Sequence, residues 1–502
     1  MTLSARSDGR LDPAEFDLLS SPLLRAEMPG VELAFDGASM RRHLQAALLD
    51  GGRYTIEGCL PGHATYIAGS CSLMRYEIEL RDNDSGEVIP KLVNARVWRS
   101  RSDAAAYFTE RLAPVAEKMS SRVESVPLAH SAAVIEPLNM TVSVWPVDGE
   151  LPTLIGATDP PAILELLSRA LPAARAGDFV PRSCSVSLGH YGRQHRCLLK
   201  YELEGADERS LLIYGKVAAD GRGALTEPVI AAIRDEVLAH TPDAFAIPRS
   251  FGFFSHLQLV LLESIPGVPQ VAQLLKARLR GEGGEPAAPS LEEAIDSCAR
   301  VAALLHSSGI SEGRPRRLDD ELAMLHAAEV AIGTASPGFA LRFGRWINGV
   351  ERHASSSRPS PPCFSHGDFS YTQLIFAGRD CGLVDFDTMC RAEPALDLGQ
   401  FLAYLRVAMM KSQKTATPED STMVEGLCAR FLGTYVEESA PEHAAAALER
   451  VPIYELISLL RLAFHSWQKF KPSRLSAVAP VIEERLRHHS IGTVEDGGSR
   501  GR

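Results

Sequence analysis

Apolar and polar positions alternate over two stretches that echo one another. Leu73-Met74-Arg75-Tyr76-Glu77-Ile78-Glu79 and Leu198-Leu199-Lys200-Tyr201-Glu202-Leu203-Glu204 both read as half-buried strands, with one face apolar and the other charged. Each is followed by a polar turn and a second β-rich run, Val93–Trp98 in one copy and Leu212–Val217 in the other. Each copy then passes through a helical stretch to a Val/Ile-Pro step (Val126-Pro127, Ile247-Pro248) and an apolar hairpin. A repeat of this kind is the signature of a duplicated β-rich unit, although alternating strands also recur by chance. Between these copies and the end of the chain the period changes from two to 3.6 residues. Ser290-Leu291-Glu292-Glu293 has capping-box spacing and opens a helix with Leu291, Ile295, Cys298, Ala302 and Leu305 on one face. From about residue 397 the pattern is helical throughout, with an aromatic stripe (Tyr454, Phe464, Trp467) that reads as core.

Chemistry concentrates in one short segment. His366-Gly367-Asp368 places an aspartate on a glycine turn, and an amide, Gln373, follows shortly after. Leu374-Ile375-Phe376 and Cys381-Gly382-Leu383-Val384 then read as a hairpin closed by Ala377-Gly378-Arg379-Asp380, leading into Asp385-Phe386-Asp387. Such a hairpin brings Gln373 and Asp385 to the same end. A base to orient a hydroxyl and two oxygen ligands for Mg²⁺ are the minimum for moving a phosphoryl group. Taken singly, H-x-D or D-x-D fragments are usually solvated turns; their order and spacing are what single them out.

These segments resemble the catalytic and metal-binding loops of the aminoglycoside phosphotransferase/choline kinase family, relatives of the protein kinases. The resemblance covers about residues 180–480. It implies an α+β, protein-kinase-like bilobal fold, with a small β-rich N-lobe, a large helical C-lobe and an additional N-terminal α+β domain. It implies Asp368 as catalytic base with His366 as its companion, and Gln373 and Asp385 as Mg²⁺ ligands. Asp387 and Asp397 (in Glu393-Pro394-Ala395-Leu396-Asp397-Leu398-Gly399) become structural supports. Lys216, a basic residue on an apolar strand, takes the role of the lysine that neutralises the ATP phosphates. Glu227 and Glu236 both qualify to tether it. The main chain of Glu263, Ser264 and Ile265 is the expected adenine hinge, and Ser187–Gly192 a candidate turn over the phosphates. Gln373 stands where the family usually has Asn. Gln offers the same carbonyl oxygen on a longer arm, and maltokinase-like relatives carry it too. In the first copy Arg96 corresponds to Lys216, and no catalytic loop follows closely.

Composition changes this picture little. A chain of 502 residues suits several packed units: a poorly patterned segment (1–35), a cap or degenerate lobe (36–165), a nucleotide-binding N-lobe (166–275), a helical catalytic C-lobe (276–485) and a disordered tail (486–502). Residues 277–289 read as a flexible surface connection. A net charge of −11 argues against a nucleic-acid or acidic-membrane partner. Nine scattered cysteines, no membrane-length apolar run and no signal-peptide pattern point to a reducing cytoplasm. The expected activity is ATP/Mg²⁺-dependent phosphorylation of a hydroxyl on a small polar molecule, of sugar or aminoglycoside type. The alternative is a nucleotide-binding pseudokinase with a regulatory or scaffolding role. Oligomeric state and acceptor identity are left open.

Overall fold

The computed structural model describes residues 16–120, 128–192, 195–219, 221–282, 288–412 and 417–491. The Val126-Pro127 step, residues 283–287 of the expected surface connection and residues 492–502 of the expected tail lie outside them.

Period-two alternation produces two antiparallel five-stranded sheets. The first contains β1 (Tyr54–Ile67), β2 (Cys71–Asp82), β3 (Val88–Trp98), β4 (Ala132–Ile135) and β5 (Met140–Val144), in the order β1-β2-β3-β5-β4. The second contains β6 (Pro181–Gly192), β7 (Arg196–Gly205), β8 (Ser210–Ala218), β9 (Ser250–Phe254) and β10 (Leu259–Glu263), in the matching order β6-β7-β8-β10-β9. Tyr76, Ile78 and Leu80 are buried in β2 as Tyr201 and Leu203 are in β7, while Glu77, Glu79, Glu202 and Glu204 face out.

The match extends to register. Leu73 of β2 pairs with Arg96 of β3, which pairs with Thr141 of β5; Leu198 of β7 pairs with Lys216 of β8, which pairs with Val260 of β10. Both third strands lead into a helix containing a π-helical turn, Phe108–Leu112 in one copy and Arg234–Leu238 in the other. In both, the residue before the last strand of the copy is left-handed, Asn139 (φ 47°) and Gln258 (φ 52°).

After the sheets come five short strands and a helical bundle. The strands that matter to the site are β11 (Arg314–Pro315), β12 (Cys363–Ser365), the hairpin β13 (Leu374–Ala377) and β14 (Asp380–Leu383), and β15 (Cys390–Ala392). Helix starts are chemically marked. Ser290 forms a capping box with Glu293, Thr417 does so with Asp420, and Pro337, Pro418 and Pro441 each stand in a first helical turn, where a missing N–H costs nothing.

The hairpin β13–β14 ties the second sheet's connections to the bundle. Val268 and Phe376 exchange backbone hydrogen bonds at 3.1 and 2.9 Å; Ala246 donates to the Cys381 carbonyl and accepts from Leu383, both at 2.8 Å. Gly267 (φ +123°) permits this approach, since a Cβ there would lie 2.9 Å from the Phe376 backbone.

The N-terminal region docks on the same bundle. Phe16 packs edge-on against Phe339 (5.3 Å), Tyr66 against Trp467 (5.6 Å) and Phe35 against Phe470 (5.0 Å). The poorly patterned reading of residues 1–35 therefore needs correcting for its described part. Pro22–Glu27 and Val31–Ala34 are helical, and Phe16, Leu18, Leu24, Met28 and Val31 are core residues. Short helices broken by the caps Asp17, Ser21 and Asp36 never run long enough to show a period. Residues 277–279 likewise end a helix, Val271–Leu279, rather than opening a loop. Ser187–Gly192, expected as a turn, forms instead the end of β6.

Candidate active site

The glycine turn at His366–Asp368 is held through almost every polar backbone atom it has. Asp397, in the first turn of the helix Ala395–Ser412, accepts from His366 N at 2.7 Å and Gly367 N at 2.8 Å. Thr388 Oγ1 donates to the His366 carbonyl at 3.0 Å, and Arg316 Nη1 to the Gly367 carbonyl at 2.8 Å. Gly367 adopts φ +76°, and a Cβ on it would lie 2.3 Å from the Thr388 carbonyl oxygen, so no other residue fits. Asp397 is wholly buried. Burial alone would push its carboxyl up, but His306 (Nε2 at 3.1 Å) and the His366 contacts outweigh it and hold the group below the ordinary aspartate range. His306 is itself fixed at Nδ1 by the Tyr435 hydroxyl, 3.0 Å away.

His366 is fully buried, and both ring nitrogens face protein. Nε2 lies 3.1 Å from the Val384 carbonyl and so carries the proton there, while Nδ1 accepts weakly from Asp368 N at 3.4 Å. The imidazole thus links the Asp368 turn to the strand that ends at Asp385. It touches neither solvent nor the open face of the site, which makes it a positioning group.

Asp368 is only partly exposed. Gln400, one turn beyond Asp397 on the same helix, donates Nε2 to Asp368 Oδ1 at 2.5 Å and leaves Oδ2 for another partner. Burial raises the Asp368 pKa and the nearby Asp385 charge adds to it, against His366, Gln400 and Arg461.

The second carboxylate cluster lies at the end of β14. Asp385 has a left-handed backbone (φ 71°), a conformation uncommon outside glycine and asparagine. Lys216 Nζ lies 2.5 Å from Asp385 Oδ1 and 3.3 Å from Asp387 Oδ1, and Arg196 lies 3.5 Å from Asp387 Oδ2. Burial disfavours charge on both partners, but the mutual attraction wins: Lys216 is raised and Asp385 lowered. Among the described residues neither Glu227 nor Glu236 pairs with Lys216; the aspartates do so instead. Gln373 stands beside this cluster, because Val384 N donates to the Gln373 carbonyl at 3.0 Å across the hairpin mouth.

At the hinge, Glu263 lies within β10 and its N–H donates to the Arg249 carbonyl at 2.8 Å. Ser264 and Ile265 follow the strand, half-buried, and among the described residues their backbone groups make no hydrogen bond outside the strand ladder.

Four contributors escape a sequence reading: Gln400, Arg196, Arg316 and Arg461. Glu321, 1% exposed, pairs with Arg316 and lies 3.5 Å from Arg461, so one buried carboxylate orders two of them. Gln400 alone had a local signal, as a polar residue one helical turn past Asp397.

The donor set suits a hard divalent cation. Asp385 and Asp387 follow β14 and Gln373 precedes β13, so oxygen-bearing side chains meet at one hairpin end. Mg²⁺ commonly takes one or two carboxylates and completes its shell with water and phosphate oxygens. Among the described residues no cluster of three or more His, Cys, Asp or Glu side chains is placed to hold a metal ion.

Several solved structures are similar to this chain at low identity. A glucosamine kinase bound to glucosamine, ADP and inorganic phosphate is 13% identical, covers 66% of this chain and 100% of its own, and has a TM-score of 0.44. Plasmodium vivax ethanolamine kinase (14% identity, 62% and 87% covered, TM-score 0.41) and Cryptosporidium parvum choline kinase (12%, 66% and 97%, 0.44) are similar to a like degree. No curated protein sequence matches the chain. The model of the phosphotransferase enzyme family matches residues 240–440, which include the hinge, the Asp368 turn, Asp385 and Asp397. Over that span the chain is similar to the phosphotransferase enzyme family.

Proposed function

We propose that the protein is an ATP-dependent kinase that phosphorylates a hydroxyl of a small polar molecule. The observation that carries this reading is convergence. Lys216 from the second sheet and Asp385 and Asp387 from the β14 end meet in one cluster, and His366 couples that cluster to the Asp368 turn.

Asp368 Oδ2 receives the acceptor hydroxyl while Gln400 fixes the other oxygen. As the acceptor oxygen bonds to the γ-phosphorus, the bond from that phosphorus to the β–γ bridging oxygen breaks and ADP departs. The hydroxyl proton passes late to Asp368, whose raised pKa suits it to accept. Lys216 would exchange part of its hold on Asp385 for the nucleotide phosphates. Ser264 and Ile265 would offer main-chain groups to the adenine edge. A magnesium ion held by Asp385 and Gln373 would supply neutralising charge to the phosphates. Phosphoryl transfer depends mostly on positioning and charge stabilisation, and a turn pinned by Asp397, Arg316 and Thr388 supplies the first.

The test is ATP-dependent phosphorylation of a panel of sugars, aminoglycosides and amino alcohols, comparing the parent with Asp368→Asn. Turnover by the variant is expected to fall by about 10³-fold or more. Equal rates would remove Asp368 from the mechanism. Mg²⁺-dependent ATP binding without turnover on any acceptor would favour a pseudokinase.

A further inference from the structure

A cleft of about 530 Å³ opens where three parts of the molecule meet: β1 and β2 of the first sheet, the end of β6, and the turn that follows the helix Pro441–Gln468. Its walls gather His63, Arg75, His190, Lys469 and Lys471 against a single carboxylate, Glu77. On a chain of net charge −11 this is a local reversal of sign. The basic groups come from separate elements and feel one another. Arg75, Lys471, Lys469 and His190 all depress the His63 pKa, adding to the effect of its partial burial. Arg75 is seated over the Tyr191 ring (4.6 Å) and donates from Nη2 to the Tyr191 carbonyl, yet its buried Nε has no hydrogen-bond partner. Arginine and lysine side chains held this close beside two imidazoles, with the buried Arg75 Nε unsatisfied, favour an anion in the space.

Two elements of the cleft lead toward the transfer site. The end of β6 pairs with Arg196 at the start of β7, and Arg196 pairs with Asp387. Beyond Lys471, Arg474 acts electrostatically on Tyr371, within the segment joining Asp368 to Gln373.

We infer that this cleft binds an anionic group, a phosphate or a carboxylate, carried by the acceptor molecule, and that the N-terminal region exists in part to build it. The acceptor role rests on the kinase reading above; the anion site itself does not. The acceptor class is then an acidic or phosphorylated polyol rather than a polycation. Arg75 and Lys471 supply charge-assisted hydrogen bonds to its oxygens.

Calorimetric titration of inorganic phosphate into the full chain tests the site. It is repeated on Lys471→Glu and His63→Glu, both at exposed positions, and on Lys216→Met to discount phosphate drawn to the nucleotide lobe. Thermal melting of each variant checks that it folds. Saturable binding that weakens about tenfold or more in Lys471→Glu and His63→Glu but persists in Lys216→Met is expected. Absence of saturable binding, or binding indifferent to both glutamate variants, overturns the proposal. Turnover assays with gluconate, glucose 6-phosphate, glucose and glucosamine then address the acceptor. Preference for the two anionic compounds supports the assignment, and preference for glucosamine overturns it. If no acceptor is turned over while phosphate binding still depends on Lys471, the kinase reading falls and the anion site stands.

Discussion

The two five-stranded sheets share strand order, register and the helix-with-π-turn that follows their third strand, yet they treat their central basic residue in opposite ways. Lys216 in the second sheet reaches across to Asp385 and Asp387 of the helical lobe. Arg96, at the equivalent register in the first, is sealed in. Its guanidinium lies over the Tyr107 ring (4.6 Å) and 3.4 Å from Glu150, in a tight pocket that Asp148 also lines. Asp148 is buried and engaged by the Tyr191 hydroxyl from the second sheet. The same scaffold thus reaches the acidic loop of the helical lobe in one copy and forms a packed support in the other. What separates them is whether an acidic loop from another lobe meets the basic residue, or a local aromatic and carboxylate close over it.

The widest gap between the copies is expected in catalysis. Lys216→Met should lower turnover by about 10²-fold or more, because the proposed mechanism assigns its ammonium, now paired with Asp385, to the nucleotide phosphates. Arg96→Met should leave turnover of the folded protein near the parent value while costing about 3 kcal/mol of stability, since Glu150 would lose its buried partner. Steady-state rates together with denaturant melts separate the two outcomes. A turnover defect in Arg96→Met matching that of Lys216→Met would erase the distinction.

A smaller effect concerns the support that only the second copy's catalytic turn enjoys. Asp397→Asn should destabilise the protein by about 2–4 kcal/mol at neutral pH, because two backbone donors and His306 lose a charged acceptor. The sign with pH follows from its depressed pKa. The stabilisation is present above the ordinary aspartate value of 3.8 and fades as pH falls through the lower folded-state value, so the parent–variant difference should narrow in acid. Urea melts across pH check this, and a difference that widens on acidification would contradict it.

The smallest effect is a displacement of the pH–rate profile. Asp368 must be ionised to accept a proton, and burial beside Asp385 raises its pKa. The acid limb of kcat/KM should therefore lie above 3.8 and lose that ionisation in any residual activity of Asp368→Asn. An unchanged limb in the variant would assign it to another group.

Much of this architecture was legible in local pattern. Alternation gave the strands, the Leu73 and Leu198 echo gave their correspondence, and the spacing of Asp368, Gln373 and Asp385 gave the hairpin that unites them. What stayed hidden depends on contacts between residues distant along the chain. Nothing local distinguishes Glu227 or Glu236 from the aspartates that in fact hold Lys216, nor marks Glu321 as the buried anchor of Arg316 and Arg461. The helices between Pro22 and Leu48 were obscured by their frequent caps. The basic cleft was invisible for a related reason, since its five basic residues are contributed by segments that only the folded chain assembles.

Equilibrium titration of the full chain with ATP and Mg²⁺ tests the division of labour most directly. One site per chain is expected, lost in Lys216→Met and retained in Arg96→Met. Two sites, or binding that survives in Lys216→Met and vanishes in Arg96→Met, would contradict it.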